Sequence, residues 1–196
     1  MKQLNHKNIV RYYESYLAQA DDKMTLYIVM EYMDIDMCNI WSGIYGIAGT
    51  SGHLAYIVRE VLDGLIYLHS KHITHCDLHD SNIMLNSNAE VKLIDFGLAE
   101  ADVCYPFKDV FKMYLFVTKV KDYPSTALLT RFQKEFQNLK SVDEYLAVDE
   151  YSHEHVISLF GTLRSHDWIG TADKTGLADI VKTRAANYVF SEELFK

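Results

Sequence analysis

The sequence predicts an α+β fold in which a small β-sheet near the N-terminus is followed by a mainly helical region. The run from Thr25 to Met33 is rich in β-branched and aromatic residues and stops at an aspartate, which is typical of a buried strand leading into a connection. From His53 onward, apolar residues at helical spacing predict one amphipathic helix, with the stripe Leu54, Ile57, Val58, Val61, Leu62, Leu65 and Ile66.

The remaining elements follow in chain order. Two short apolar runs, "NIMLN" from Asn82 and "VKLID" from Val91, are separated by residues of turn character and predict a β-hairpin. The segment "DVFKMYLFVTKV", which starts at Asp109, is apolar nearly all round and predicts a buried helix. The C-terminal third is predicted to be helical but less regular. A further helix is predicted from the spacing of Leu128, Phe132, Phe136 and Leu139.

Composition limits the class of protein. The chain has 196 residues, 49% of them apolar, which is enough to bury a substantial core in one domain or two small ones. A net charge of −8 without a long basic run argues against a nucleic-acid partner. No apolar run is long enough for a membrane span and no N-terminal apolar leader is present, so no membrane partner is expected. The three cysteines, Cys38, Cys76 and Cys104, cannot all pair and favour an intracellular, cytoplasmic location.

A polar stretch follows the predicted amphipathic helix. It reads "HCDLHDSN" over residues 75–82, and "DFG" follows at residues 95–97, after the hairpin. This order and spacing resemble the catalytic loop H-R-D-L-x-x-x-N and the metal-binding motif D-F-G of the eukaryotic-type protein kinase family. The resemblance covers residues 1 to about 100, because three upstream segments also look like parts of the family: "LNHKNIVRYYESYL", "LYIVMEYM" and "GLIYLHSKHITH".

The resemblance implies a protein-kinase-like architecture. Residues 1–33 are expected to form a remnant of the N-lobe sheet with the hinge, and residues 34–196 a mainly helical C-lobe that diverges after about residue 100. The family's Gly-rich loop and the Lys of its third strand are expected to lie before residue 1. Without that Lys the phosphates of ATP lack their usual cation, so this chain alone is expected to bind ATP weakly and turn over poorly.

The resemblance also implies ATP and Mg²⁺ as cofactors, in a reaction that depends on the placement of charge more than on covalent chemistry. Asp77 is expected to accept the proton of the acceptor hydroxyl. Asn82 and Asp95 are expected to hold Mg²⁺, with Asp95 bridging the metal to the phosphates. His79 stands where the family usually has a Lys, and it is expected to be a weak, pH-dependent partner of the γ-phosphate.

Four residues are implied by the resemblance to bind adenine. Met30 is the expected gatekeeper, and Met84 is expected to lie under the adenine ring. The main chain of Glu31 and Met33 is expected to meet the adenine edge.

Three further residues are expected to be structural. His75 and Phe96 are expected to pack behind the catalytic loop. Asp109 is expected to be a buried acceptor for main-chain N–H groups at His75 or Cys76, and the alternative is an ordinary helix N-cap. A buried Asp109 implies a short link from Gly97 to Lys108, which accounts for the absence of the family's A-P-E motif.

The sequence therefore predicts an ATP-dependent phosphotransferase of the Ser/Thr protein kinase type with a protein hydroxyl as acceptor. Cys76 replaces the loop Arg and supplies no cation for a phosphorylated activation segment. Two alternatives stay open. One is a pseudokinase that acts as an interaction module, favoured by the missing N-lobe parts, and the other is a kinase of small molecules, favoured by His79 and by the lack of a peptide-docking platform.

Overall fold

The computed structural model describes residues 2–20, 23–41, 50–101, 106–118 and 152–187. Within these ranges strands come first and helices dominate later, which confirms the predicted α+β fold. The strands are β1 (Tyr12–Ala20), β2 (Lys23–Met30), β3 (Ile35–Asp36), β4 (Ile73–Thr74), β5 (Ile83–Leu85), β6 (Val91–Leu93) and β7 (Glu100–Ala101). The helices are α1 (Met37–Trp41), α2 (Ser51–His69), α3 (Phe107–Thr118), α4 (His153–Arg164) and α5 (Leu177–Asn187), with 3₁₀ turns at Asp80–Asn82 and Ile169–Thr171.

Strands β1 and β2 form an antiparallel ribbon near the N-terminus. Its register places Tyr16 opposite Tyr27, and their rings stack with centroids 5.1 Å apart. The strand predicted over this run is confirmed, but its predicted burial is wrong, because every residue of β2 is exposed. In the described part of the chain β1 and β2 pair only with each other, and a two-stranded ribbon buries little unless more strands or a helix pack on it.

Helix α2 lies at the centre of the core. Thr50 caps its first turn, since Thr50 Oγ1 accepts a hydrogen bond from His53 N–H at 3.2 Å and Thr50 N–H donates to His53 Nδ1 at 3.1 Å. The predicted apolar stripe is buried, except that Ile66 is only partly buried. The predicted helix is therefore confirmed, and it ends at His69, just before the stretch that resembles a catalytic loop.

The predicted hairpin is also confirmed. Strands β5 and β6 are antiparallel, with Ile83 opposite Leu93. Strand β3 pairs with β5 on one side, and the chain near Ile9 runs beside β6 on the other, where Val10 N–H donates to Leu93 O at 3.0 Å. Ile9, Ile83 and Leu93 are buried in the same core as α2, which fixes the position of the hairpin against that helix.

The later helices complete the core. Helix α3 confirms the helix predicted from Asp109, and within the described residues 152–187 the helices α4 and α5 agree with the helical character predicted for the C-terminal third. Helix α4 packs on α2 and buries Val156, Phe160 and Leu163. Among the described residues, no helix is long and apolar enough to cross a membrane. Outside the described residues lies the helix predicted from Leu128, Phe132, Phe136 and Leu139.

Candidate active site

The β5–β6 hairpin brings the two candidate metal ligands to one place. Asn82 directly precedes β5, and Asp95 follows closely after β6. Because the strands are antiparallel, the start of β5 lies beside the end of β6, and Ile94 N–H donates to Asn82 O at 3.0 Å. Asn82 and Asp95 therefore meet at the same end of the hairpin.

The loop before β5 holds Asp77, His79 and Asn82 together. Asn82 Nδ2 donates to the main-chain oxygen of Asp77 at 2.9 Å and lies 3.4 Å from its carboxylate Oδ2. His79 Nε2 lies 3.0 Å from the same amide nitrogen and 3.6 Å from Asp77 Oδ2. Asn82 is buried, whereas the side chain of Asp77 is 28% exposed. The arrangement holds the Asp77 carboxylate beside Asn82 and His79 and leaves it accessible from solvent.

The oxygen atoms of Asn82 and Asp95 suit a hard cation. The amide nitrogen of Asn82 faces Asp77, so the oxygen of the same planar group points away from that residue. Asp95 is exposed, and its Oδ1 accepts a hydrogen bond from Gly97 N–H at 3.1 Å. The described residues include no group of three or more His, Cys, Asp or Glu side chains that could hold a metal unaided. This donor set fits Mg²⁺, which proteins bind through one or two carboxylates together with substrate phosphates.

The buried Asp109 carboxylate anchors the catalytic loop. Its Oδ2 accepts His75 N–H at 2.8 Å and its Oδ1 accepts Cys76 N–H at 3.0 Å, so the predicted contact is present. Asp109 is 0% exposed and is the third residue of α3, so the alternative of an exposed N-cap is wrong. Cys76 has a φ of 65°, a left-handed conformation that costs a non-glycine residue roughly 1–2 kcal/mol. The two hydrogen bonds to Asp109 stabilise this strained backbone.

His75 is buried behind the loop in a defined tautomer. Its Nδ1 accepts Asp77 N–H at 3.3 Å, and its Nε2 lies 2.9 Å from Ile94 O. Because a carbonyl oxygen only accepts, Nε2 carries the hydrogen and Nδ1 is the acceptor. The ring packs against Phe96 with centroids 5.0 Å apart. His75 therefore connects the loop to the D-F-G segment.

The candidate adenine-binding residues lie along the segment after β2 and on the adjoining sheet. Met30 ends β2 and is 39% exposed, Met33 is buried, and Met84 is partly buried in β5. Glu31 N–H donates to Arg11 O at 2.8 Å, which fixes the start of the segment. Since β3 pairs with β5, the segment that carries Met30, Glu31 and Met33 leads directly to the sheet that carries Met84.

Two residues that support this site were not found from the sequence. Lys92 Nζ lies 3.1 Å from Glu31 Oε2 and donates to Lys7 O at 3.0 Å, so a nearly buried lysine holds the candidate hinge. His69 Nε2 lies 3.1 Å from Asp109 Oδ2. For Lys92 a signal existed, because a charged residue inside a predicted buried strand requires a partner. For His69 the only signal was a polar residue at the end of an apolar stripe.

The loop, the D-F-G hairpin and the buried acidic anchor form one connected unit. The model of the protein kinase domain matches residues 1–110, which is more than half of the chain. The chain belongs to the protein kinase family. Members of this family generally use ATP and Mg²⁺.

Named relatives are serine/threonine kinases. The chain is 43% identical over 103 residues to the serine/threonine-protein kinase CLA4 of Eremothecium gossypii, and the match covers 50% of this chain and 13% of that protein. It is 46% identical over 99 residues to the probable serine/threonine-protein kinase mkcE of Dictyostelium discoideum, with the same two shares. The chain thus spans only a small part of the length of these relatives.

A solved structure shares the fold. The crystal structure of the yeast RNA Pol II CTD kinase CTDK-1 complex superposes with a TM-score of 0.50 at 20% identity. The match covers 69% of this chain and 53% of that chain. At this identity the likeness concerns the fold alone.

Proposed function

We propose that the chain carries the catalytic loop and the metal site of an ATP-dependent serine/threonine protein kinase, which transfers the γ-phosphate of ATP to a protein hydroxyl. The observation that carries the proposal is the gathering of Asp77, Asn82 and Asp95 at one end of the hairpin, on a loop that Asp109 anchors. A chain without a catalytic role has no physical need for this combination of hard ligands and strained backbone. In this proposal residues 1–33 form part of the N-lobe and the hinge, and residues 34–196 the C-lobe.

Asp77 is the proton acceptor in the proposed reaction. Its main chain is held by Asn82 Nδ2 and by His75 Nδ1, and its carboxylate Oδ2 lies 3.4 Å from Asn82 Nδ2 and 3.6 Å from His79 Nε2, which favours one position of the carboxylate toward an incoming hydroxyl. Positioning of this kind matters most in the transition state, when the hydroxyl proton leaves. Loss of the Asp77 carboxylate should therefore lower the rate of transfer more than the affinity for ATP.

Asn82 and Asp95 are the proposed ligands of Mg²⁺. A bound Mg²⁺ supplies positive charge that neutralises the phosphate oxygens during transfer. His79 lies beside Asp77 and Asn82 with its side chain 40% exposed, where it is available to a phosphate oxygen. Because an imidazole is only partly charged near neutral pH, His79 is a weaker partner for phosphate than a lysine.

The adenine is proposed to lie against the segment of Met30, Glu31 and Met33, with Met84 below the ring. Two contacts support this placement: Lys92 and Arg11 both contact Glu31, so the segment is held in place before any nucleotide binds. Preorganisation of this kind lowers the entropic cost of binding. The named relatives are protein kinases, which favours a protein acceptor over a small molecule.

Nucleotide binding and phosphate transfer test the proposal separately. We expect amide NMR shifts at Glu31, Met33 and Asp95 when ADP and Mg²⁺ are added together at millimolar concentration, and much smaller shifts without Mg²⁺. The variants Asp95→Ala and Asn82→Ala should lose the part of these amide shift changes that depends on Mg²⁺. The variant Asp77→Asn should bind as the wild type does but lower the transfer of radioactive phosphate from ATP to casein by roughly 10²-fold or more.

A matched control is Asp179→Ala, which removes an exposed carboxylate of α5, outside the loop, and should change neither readout. Equal Mg²⁺-dependent binding in wild type and Asp95→Ala would remove the metal assignment. Equal transfer by wild type and Asp77→Asn would remove the proton-acceptor assignment. If the chain shows no Mg²⁺-dependent nucleotide binding, the catalytic proposal fails and the interaction module remains.

A further inference from the structure

A chain of buried polar contacts runs from helix α4 to the catalytic loop. His153, the first residue of α4, has its Nδ1 2.9 Å from His69 Nδ1. His69 Nε2 lies 3.1 Å from Asp109 Oδ2, the same oxygen that accepts His75 N–H at 2.8 Å. His69 and Asp109 are 0% exposed, and His153 is 9% exposed. His153 lies outside residues 1–110, so this contact comes from the part of the chain beyond the family match.

The hydrogen count along this chain is fixed by chemistry. A carboxylate only accepts, so His69 Nε2 must carry a hydrogen to reach Asp109. One hydrogen must lie between the two Nδ1 atoms for the 2.9 Å contact to be a hydrogen bond. Two neutral imidazoles hold two N–H hydrogens in all, and these two positions use both. His153 Nε2 is therefore bare when the pair is neutral, and any further proton makes the pair cationic beside Asp109.

We propose that His153 is a positioning residue for the catalytic loop: it holds His69 in the tautomer that binds Asp109, and protonation of the His69–His153 pair alters the hold of Asp109 on the His75 N–H. The consequence for catalysis rests on the proposed kinase function, whereas the coupling between α4 and the loop does not. The extra proton goes to His153 Nε2, and the resulting His153 cation donates more strongly through Nδ1 to His69. His69 then donates more strongly through Nε2 to Asp109 Oδ2, and the same oxygen accepts less strongly from His75.

The surroundings of the pair set the direction of its response to pH. Burial lowers the pKa of His153 below its ordinary value of 6.5, and neighbouring His69 and His72 lower it further. Glu154 on α4 and Asp109 on α3 act in the opposite direction but do not outweigh these effects. His72 follows α2, and its ring meets the His153 ring at 5.1 Å between centroids, while Phe160 packs on His69 from the same helix as His153.

The lowered pKa of His153 keeps this imidazole neutral further into the acid range than an ordinary histidine. Because the pKa of His153 is lowered on folding, the stability linked to it is present above pH 6.5 and is lost as the pH falls through the folded value. The loop should be held most firmly in neutral and alkaline solution.

An NMR titration of the full chain from pH 8 to pH 5 tests the coupling. We expect the His153 ring and the amides of His75 and Cys76 to titrate with one common midpoint below 6.5. In His153→Asn the side-chain amide replaces the Nδ1 donor without titrating. The amide chemical shifts of His75 and Cys76 should therefore stay at their pH 8 values and show no pH-dependent transition. In His153→Phe the donor is absent, and these amides should be displaced at every pH.

His155→Asn is the matched control, because His155 is exposed two positions further along α4, and this variant should keep the transition. The proposal is overturned if the amides of His75 and Cys76 show no transition in the wild type, or show the same transition in His153→Asn. The titrations of the wild type and of His153→Asn decide the matter if the Phe variant does not fold. If phosphate transfer is measured, the part of its acid limb that follows the titration of the loop amides should be lost in His153→Asn. A protein that titrates as expected but binds no nucleotide with Mg²⁺ contradicts the proposed kinase function while the coupling stands.

Discussion

Replacement of Asp109 by alanine is the most direct test of how the catalytic loop is held. The carboxylate accepts three hydrogen bonds in the core, from His75 N–H, Cys76 N–H and His69 Nε2–H. A buried donor without an acceptor costs about 1–3 kcal/mol, and removal of one partner from a buried charged network typically costs about 3–5 kcal/mol. Relaxation of the strained Cys76 backbone returns roughly 1–2 kcal/mol of this. We expect a net loss of about 1–4 kcal/mol in the free energy of unfolding.

Urea unfolding followed by circular dichroism measures this loss. Asp179→Ala is a matched control, since Asp179 is the third residue of α5 as Asp109 is of α3, and its side chain is 85% exposed. We expect little change in that variant. Asp109→Asn retains one acceptor oxygen and should lose about 1–3 kcal/mol, which provides a folded variant if the alanine form is too unstable.

Hydrogen exchange gives a second, local readout of the same substitution. In Asp109→Asn the amides of His75 and Cys76 should exchange faster than in the wild type, while amides in the middle of α2 should change only as much as the global stability does. A loss below about 1 kcal/mol in Asp109→Ala, the size expected for an exposed cap, would refute the reasoning. Unchanged protection of both loop amides would refute it as well.

Two further predictions concern the core around α2. Gly64→Ala should destabilise the protein although alanine favours helices, because a Cβ there would lie 3.2 Å from Asn8 O and Leu93 Cδ1, and Asn8 is held by hydrogen bonds to Glu60 and Val91. Gly161→Ala in α4, where a Cβ meets nothing within 4 Å, should instead stabilise the protein by about 0.5–1 kcal/mol. Thermal unfolding of both variants measures the two effects. Burial alone raises the pKa of Glu60, but hydrogen bonds from Lys7 and Asn8 bring this pKa below its ordinary value of 4.5, so stability should be lost as the pH falls below 4.5 through the folded value. Urea unfolding between pH 6 and pH 3 should show a weaker pH dependence in Glu60→Gln than in the wild type. An equally steep dependence in the variant would contradict the assignment.

Local patterns in the sequence were sufficient for the elements that depend on local forces. The stripe of α2 and the two runs of the β5–β6 hairpin were visible because burial against one neighbour imposes a regular spacing. The exposure of β2 could not be predicted in this way, because the same apolar run is compatible with a covered or an uncovered strand. Only the elements that pack on the strand determine whether it is buried.

In the candidate site, too, the contacts that depend on local patterns were predicted and those that depend on distant packing were not. The order of the two motifs and the helix at Asp109 led to the anchor of the loop, because each residue lies in a segment with its own pattern. The contact of His153 with His69 joins residues 84 positions apart, and neither histidine stands in a pattern that requires the other. A pair of this kind follows from the packing of α4 on α2, which no local spacing encodes.

The first turn of α2 is closed by residues near the other end of the chain. Trp168 Nε1 donates to Ser51 Oγ at 3.1 Å, and His53 Nε2 contacts Thr175 O at 2.7 Å, across 117 and 122 positions of sequence. Contacts over such separations slow folding, because the chain must lose loop entropy before they form. During synthesis the kinase-matched half leaves the ribosome well before these residues exist. The start and one face of helix α2 are therefore exposed until these residues have been synthesised, and chaperones that bind apolar segments can act during that time.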